Sequence, residues 1–117
     1  DVIVMNREGY NLLSAEGYLL ELPAYLSEDA PDLYRKLLPF LTENAVIIED
    51  NEIEYNLGEA EAYQAVEIYA LNGVEISRLP VFQDSGFSDS VFLGVLPNSP
   101  RLAAVTDYLS YLALDLP

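Results

Sequence analysis

Alternating and helically spaced apolar positions divide the chain into short elements separated by turn-forming residues. Val2–Met5 is a β-prone run, Arg7-Glu8-Gly9 turns it into a second strand at Tyr10–Leu13, and Ser14–Gly17 turns again before Tyr18–Leu22. The N-terminal part is therefore expected to be a meander. Ser27–Pro31 reads as a helix start, with Asp29 as N-cap, Pro31 in the first turn and Asp32 near the positive end of the helix dipole. Leu33, Leu37, Phe40 and Leu41 recur at helical spacing. Pro39 shortens that helix, because it lacks the amide that would bond the Arg35 carbonyl.

Ala45–Ile48 and Ile53–Leu57 read as a hairpin about Asp50-Asn51. Val46, Ile48, Ile53 and Tyr55 then share a core face, while Ile47, Glu49, Glu52 and Glu54 share the other and Glu49 lies opposite Glu52. Gly58–Ala65 fits helix and strand equally. Val66–Leu71, Asn72-Gly73 and Val74–Leu79 carry the strongest short-range hairpin signal, which pairs Glu67 with Arg78 and places the ribbon near the sheet centre. Gln83–Ser90 is a polar loop and Val91–Leu96 a last strand. Ser99 and Pro100 then open a helix that buries Leu102, Val105, Leu109 and Leu112, with Tyr108 and Tyr111 on an adjoining stripe. The sum is an α+β fold, an antiparallel sheet of about six strands with two helices packed on one face.

At 117 residues and 51% hydrophobic content, residues 1–117 are expected to form a single acidic domain. Nine Tyr, four Phe and abundant aliphatic residues accompany a formal net charge of −15, so the acidity decorates a foldable chain. The sequence holds neither Cys nor His. That excludes disulfides, thiolate metal sites, the usual zinc ligand sets and Ser-His or Cys-His nucleophilic machinery. Gly86-Phe87-Ser88-Asp89-Ser90 approximates a nucleophile elbow but lacks the last Gly and any His to complete a triad. No apolar run reaches the roughly 18 residues of a membrane span, and the expected location is the cytoplasm. Few basic residues disfavour direct binding to nucleic acid or anionic lipid. Neither enzymatic activity nor a cofactor is expected.

Charge distribution changes the picture most. From Leu37 to Ser77, forty-one residues pass without Lys or Arg, while Glu43, Glu49, Asp50, Glu52, Glu54, Glu59, Glu61, Glu67 and Glu75 accumulate. Uncompensated charge opposes folding by self-repulsion, so the stretch points to a partner of opposite sign. Calcium fits poorly, because Glu49-Asp50-Asn51-Glu52 lacks the alternate ligands, sixth-position Gly and twelfth-position Glu of an EF-hand loop. A glycosidase carboxylate pair would need a shared cleft. Outward residues on a strand repeat at about 7 Å, near the spacing of phosphates along one nucleic-acid strand. A domain about 35 Å across spans DNA carrying roughly twenty charges, and the chain has twenty acidic side chains.

In size and charge the chain resembles the bacterial DNA-mimic proteins, particularly the small monomeric kind that engages the histone-like nucleoid protein HU. The resemblance is compositional, carried by the carboxylates from Glu43 to Glu75, since such proteins share no sequence motif. It implies a monomer that inhibits DNA binding by occupying the DNA-binding surface of a basic protein with carboxylates in place of phosphates. The expected contact set is Glu43, Glu49, Asp50, Glu52, Glu54, Glu59 and Glu61, with Tyr55 and Tyr63 adding apolar area. An alternative is an immunity protein or antitoxin that neutralises a basic nuclease toxin through the same surface. A third is an acidic domain adapted to high salt, with Lys36 the only Lys.

Overall fold

Val2–Met5 does form a strand (β1), and the turn expected after it is instead a helix, α1, over Arg7–Ala15. A computed structural model describes residues 2–49, 65–82, 86, 89–97, 102–114 and 116. The Asn6 side-chain oxygen accepts from the Gly9 amide at 2.8 Å and caps α1. The helix ends where Gly17 takes a left-handed φ of +77°. There the Tyr18 amide bonds the Leu13 carbonyl and the Gly17 amide bonds the Ser14 carbonyl, the paired bonds of a Schellman motif. The expected N-terminal meander is thus replaced by strand and helix.

Two short helices follow, α2 over Leu22–Asp29 and α3 over Pro31–Leu37. Asp29 is the last residue of α2, not the N-cap of a helix. Ala30 holds φ −152° and ψ 70°, because a residue before proline is driven out of the helical region, and Pro31 then opens α3. Leu33 and Leu37 are buried as their spacing requires, and Pro39 confines Leu38–Phe40 to a 3-10 turn. Strand β2 runs over Leu41–Glu49, β3 over Ala65–Glu75 and β4 over Phe92–Val95; two 3-10 turns, Ile76–Arg78 and Pro80–Phe82, follow β3. Helix α4 covers Leu102–Leu112. Ser99 and Pro100, read as its start, lie outside the described residues.

All pairings are antiparallel and the strand order is β1-β4-β3-β2. The described residues contain four strands and four α-helices where about six and two were expected. Residues along β4 alternate between two cores. Leu93 and Val95 join Val74 and the buried leucines of α2, α3 and α4, whereas Phe92 joins Met5, Tyr10 and Leu19. Helices therefore cover both faces of the sheet, and among the described helices α1 packs on one of them and α2, α3 and α4 on the other. Each fully buried Leu contributes roughly 2 kcal/mol by leaving water. Val105, Leu109 and Leu112 are buried as expected, and the Tyr25 hydroxyl ties α2 to Thr106 Oγ1 of α4 at 2.6 Å.

Strand β2 pairs with β3, so Glu49 lies opposite Ala65; Ile53–Leu57, the other arm of the first expected hairpin, and residues 58–64 lie outside the described residues. The second expected hairpin is corrected. Asn72-Gly73 is no turn. It lies inside β3, where the register slips between Thr42 and Glu43: Thr42 pairs with Gly73 and Glu43 with Leu71, leaving Asn72 as the extra residue of a bulge. Glu67 consequently faces Ile47, and Arg78 sits on the following 3-10 turn with its guanidinium 5.4 Å from the Phe40 ring centroid.

The bulge is locked by a buried polar relay. Asn72 is buried; its Oδ1 accepts from the Tyr10 hydroxyl at 2.9 Å, and its Nδ2 donates to Ser14 Oγ at 2.9 Å. Ser14 in turn donates to the Ala45 carbonyl at 2.7 Å. Tyr10 reaches the Thr42 hydroxyl at 2.9 Å and its carbonyl at 3.0 Å, stacks on Phe92 with centroids 4.7 Å apart, and lies under the Arg7 guanidinium. Among the described residues no buried side-chain polar atom lacks a partner. Burial raises the Tyr10 pKa above 10.0, partly offset by the Thr42 hydrogen bond and the charge of Arg7.

Candidate functional site

The acidic stretch folds, where it is described, onto a two-stranded ribbon. Strand β4 pairs with β3 only at Val74 and Glu75, so from Ala65 to Leu71 the described neighbour of β3 is β2 alone. Helix α1 underlies the near half. Asn44 Nδ2 donates to Asn11 Oδ1 at 2.8 Å, Ser14 holds the Ala45 carbonyl, and the Ala45 amide donates to Asn44 Oδ1 at 2.7 Å. The backbone groups of Ala45 are thereby taken up by side chains, which closes that point of the edge strand to pairing. Beyond Ala45, Ile47 and Ile48 of β2 and Val66 and Ile68 of β3 are exposed.

Because directly paired residues share a face, the ladder sorts the ribbon into two surfaces. One carries Glu43 with Leu71, Ala45 with Tyr69, and Ile47 with Glu67. Glu43, Glu67 and Tyr69 are exposed on it, and the Tyr69 hydroxyl donates to Glu67 Oε1 at 3.1 Å. That bond, together with the negative charges of Glu67 and then Glu43, raises the Tyr69 pKa above 10.0, since phenolate would stand against two carboxylates. The other surface carries Val46 with Ile68 and Ile48 with Val66. Val46 and Ile48 were expected on a core face; Val46 is only half-buried and Ile48 is 47% exposed, because neither β4 nor α1 reaches this far.

Of the expected contact set, the structure places Glu43, exposed as the third residue of β2, and Glu49, the strand's last residue. Asp50, Glu52, Glu54, Tyr55, Glu59, Glu61 and Tyr63 lie outside the described residues. Sequence reasoning assigned Glu67 to an ion pair with Arg78 and left out Tyr69 and the exposed Ile47, Val66 and Ile68. The signal for them was the apolar content of both faces of the 66–71 run, which was read as central burial. Elsewhere, Glu75 accepts from Ser90 Oγ at 3.4 Å, and Asp32 pairs with Arg35 on exposed α3. Among the described residues no group of three acidic side chains is arranged to hold a metal ion, and no helix is long and apolar enough to cross a membrane. Comparison with known proteins returns no matching family model, no matching curated protein and no matching solved structure.

Proposed function

We propose that this chain is a non-enzymatic, monomeric DNA mimic that acts in the cytoplasm by binding the DNA-binding surface of a basic protein, of the histone-like HU kind, with carboxylates in the positions of phosphates. The observation that carries the reading is the run of forty-one residues with nine carboxylates and no Lys or Arg. Its described part supports the reading by holding Glu43 and Glu67 on one exposed ribbon face around Tyr69. Desolvation offsets much of each contact's Coulomb energy, so charge acts chiefly on association rate and salt sensitivity.

The test is titration of the full chain with purified HU over a series of salt concentrations, with and without competing duplex DNA. The mimic reading expects binding that weakens steeply with salt and is displaced by DNA, and that Glu43→Lys/Glu49→Lys/Glu67→Lys abolishes while the protein stays folded. Unchanged binding by the folded triple variant defeats it.

A further inference from the structure

We propose that Asn72-Gly73 is a latent site of spontaneous deamidation, closed by the polar relay to Tyr10 and Ser14 and opened when α1 lifts from the β3 bulge. Asparagine is a chemically labile side chain, and most so before glycine, whose missing Cβ lets its backbone nitrogen approach the side-chain amide. This is the only Asn-Gly pair in the chain. The Gly73 nitrogen attacks Asn72 Cγ and gives its proton to water. The new N–Cγ bond closes a five-membered ring, the Cγ–Nδ2 bond breaks, and Nδ2 leaves as ammonia. Water then opens the cyclic imide at either carbonyl, so that one side-chain amide and one water become one carboxylate and one ammonia, on an aspartate or isoaspartate at position 72.

The closed fold withholds each requirement of that reaction. Ring closure needs rotation about the side chain and backbone of Asn72, and both are held. Oδ1 accepts from Tyr10 and Nδ2 donates to Ser14 Oγ, each at 2.9 Å, while Leu71 and Gly73 on either side pair with Glu43 and Thr42. Water and ammonia need a path, yet Asn72 is 1% exposed and Gly73 is buried beside it. The end of the Tyr10 ring lies 2.7 Å from where a Cβ of Gly73 would stand, so Tyr10 covers both residues of the pair. The cover is also the smaller of the two cores. Among the described residues it holds Met5, Tyr10, Leu19 and Phe92, against thirteen buried residues in the core on the other face, which makes α1 the unit that opens first.

Conversion is one-way in its effect. Ser14 has one proton and gives it to the Ala45 carbonyl, so the oxygen that replaces Nδ2 competes with that carbonyl for it, and one of the two buried acceptors loses its donor. Isoaspartate lengthens the backbone by one methylene at the residue that sets the β2–β3 register. Either product unfastens the ribbon from α1.

The test incubates the full chain at mildly alkaline pH, folded and in urea, beside folded Tyr10→Phe, Ser14→Ala and Val105→Ala, and follows the acid formed at position 72 by peptide mass spectrometry. Thermal melts establish which variants fold. Conversion is expected in urea and should be at least about ten-fold slower in the folded parent. Where opening and closing are fast, the rate follows the population of the open form, so Tyr10→Phe, which deletes the bond to Oδ1, should convert about ten-fold faster than the parent. Ser14→Ala, which removes the acceptor of Nδ2, should act in the same direction and serves if Tyr10→Phe does not fold. Val105→Ala weakens the opposite core, and should lower Tm while leaving the rate at position 72 within about two-fold of the parent. Equal acceleration by Val105→Ala and the relay variants would mean that the pair opens only when the whole protein unfolds, and overturns the α1 gate. Relay variants that convert no faster than the parent overturn it too. Equal rates in urea and in the folded parent, or no conversion in urea, overturn the closed site itself.

Discussion

The Tyr10 hydroxyl and Asn72 Oδ1 are 2.9 Å apart in the protein interior, joined across 62 positions of sequence. Asn72 is the unpaired residue of the β3 bulge, so its side chain is delivered to α1 by the register slip itself. The hydroxyl has one proton to share between Asn72 Oδ1 and the Thr42 carbonyl, and it can accept from Thr42 Oγ1. Helix, bulge and edge strand are thus fastened at one atom, and the start of the ribbon is fixed relative to the body.

Replacing Tyr10 by Phe keeps the ring on Phe92 and deletes this fastening. The buried oxygens of Asn72 and Thr42 then lose a partner, at a cost of about 1–3 kcal/mol. Thermal unfolding of Tyr10→Phe should show Tm lowered by about 4–12 °C. A Tm equal to that of the parent would mean that the relay contributes nothing.

The same hydroxyl sets an alkaline limit. Folded Tyr10 has a pKa above its unfolded value of 10.0, chiefly because burial penalises phenolate. Its contribution is complete below pH 10 and is lost as pH rises through the elevated folded value, since the unfolded chain releases the proton first. Urea midpoints from pH 8 upward should therefore fall above pH 10 more steeply in the parent than in Tyr10→Phe. Parallel curves would refute the assignment to this residue.

Gly73 and Gly94 separate two kinds of close approach. A Cβ at Gly73 would lie 2.7 Å from both Cζ and the hydroxyl oxygen of Tyr10 and 2.8 Å from Thr42 Oγ1, groups pinned by the relay. At Gly94 it would meet Leu19 Cδ2 at 2.7 Å and Met5 Cε at 3.0 Å, the ends of side chains that can turn aside. Gly73→Ala should cost about 1–3 kcal/mol, and Gly94→Ala less. In a Tyr10→Phe background, which removes the hydroxyl oxygen and the hydrogen bonds that pin it, the Gly73→Ala cost should shrink. Denaturant melts of the four variants decide it; a larger loss at Gly94, or strict additivity with Tyr10→Phe, is the contrary result.

The relay also explains where sequence reasoning stopped. Strands β1 and β4 and the buried stripe of α4 were legible because apolar side chains mark them at the right period. Helix α1 was not, because its buried positions are Tyr10 and Ser14, four apart, and a buried serine breaks the apolar signature of the face it occupies. Asn72-Gly73 carries the local chemistry of a turn, yet Asn72 is needed for its amide and Gly73 for its missing Cβ beside Tyr10, which are tertiary requirements invisible to a local pattern. The acidic character of the ribbon was legible as charge. Of its exposed aliphatics, Ile47 was placed on the outward face, but Ile48, Val66 and Ile68 were not, since apolar runs imply burial until the short reach of β4 along β3 is known.

Tyr69 reports on the field of the acidic ribbon face. Its hydroxyl donates to Glu67 Oε1, and the charges of Glu67 and Glu43 add to that bond in holding the phenol protonated above pH 10.0. Glu67→Gln leaves an oxygen able to accept but removes the charge, so the Tyr69 titration should move down toward its ordinary value. Glu43→Gln, the weaker contributor, should move it less. Tyrosine ring carbon shifts followed by NMR between pH 8 and 12 resolve Tyr69 once it is assigned through Tyr69→Phe. A midpoint unaffected by Glu67→Gln would show that the two side chains do not meet in solution, and would remove the structural ground for treating Glu43 and Glu67 as one electrostatic surface.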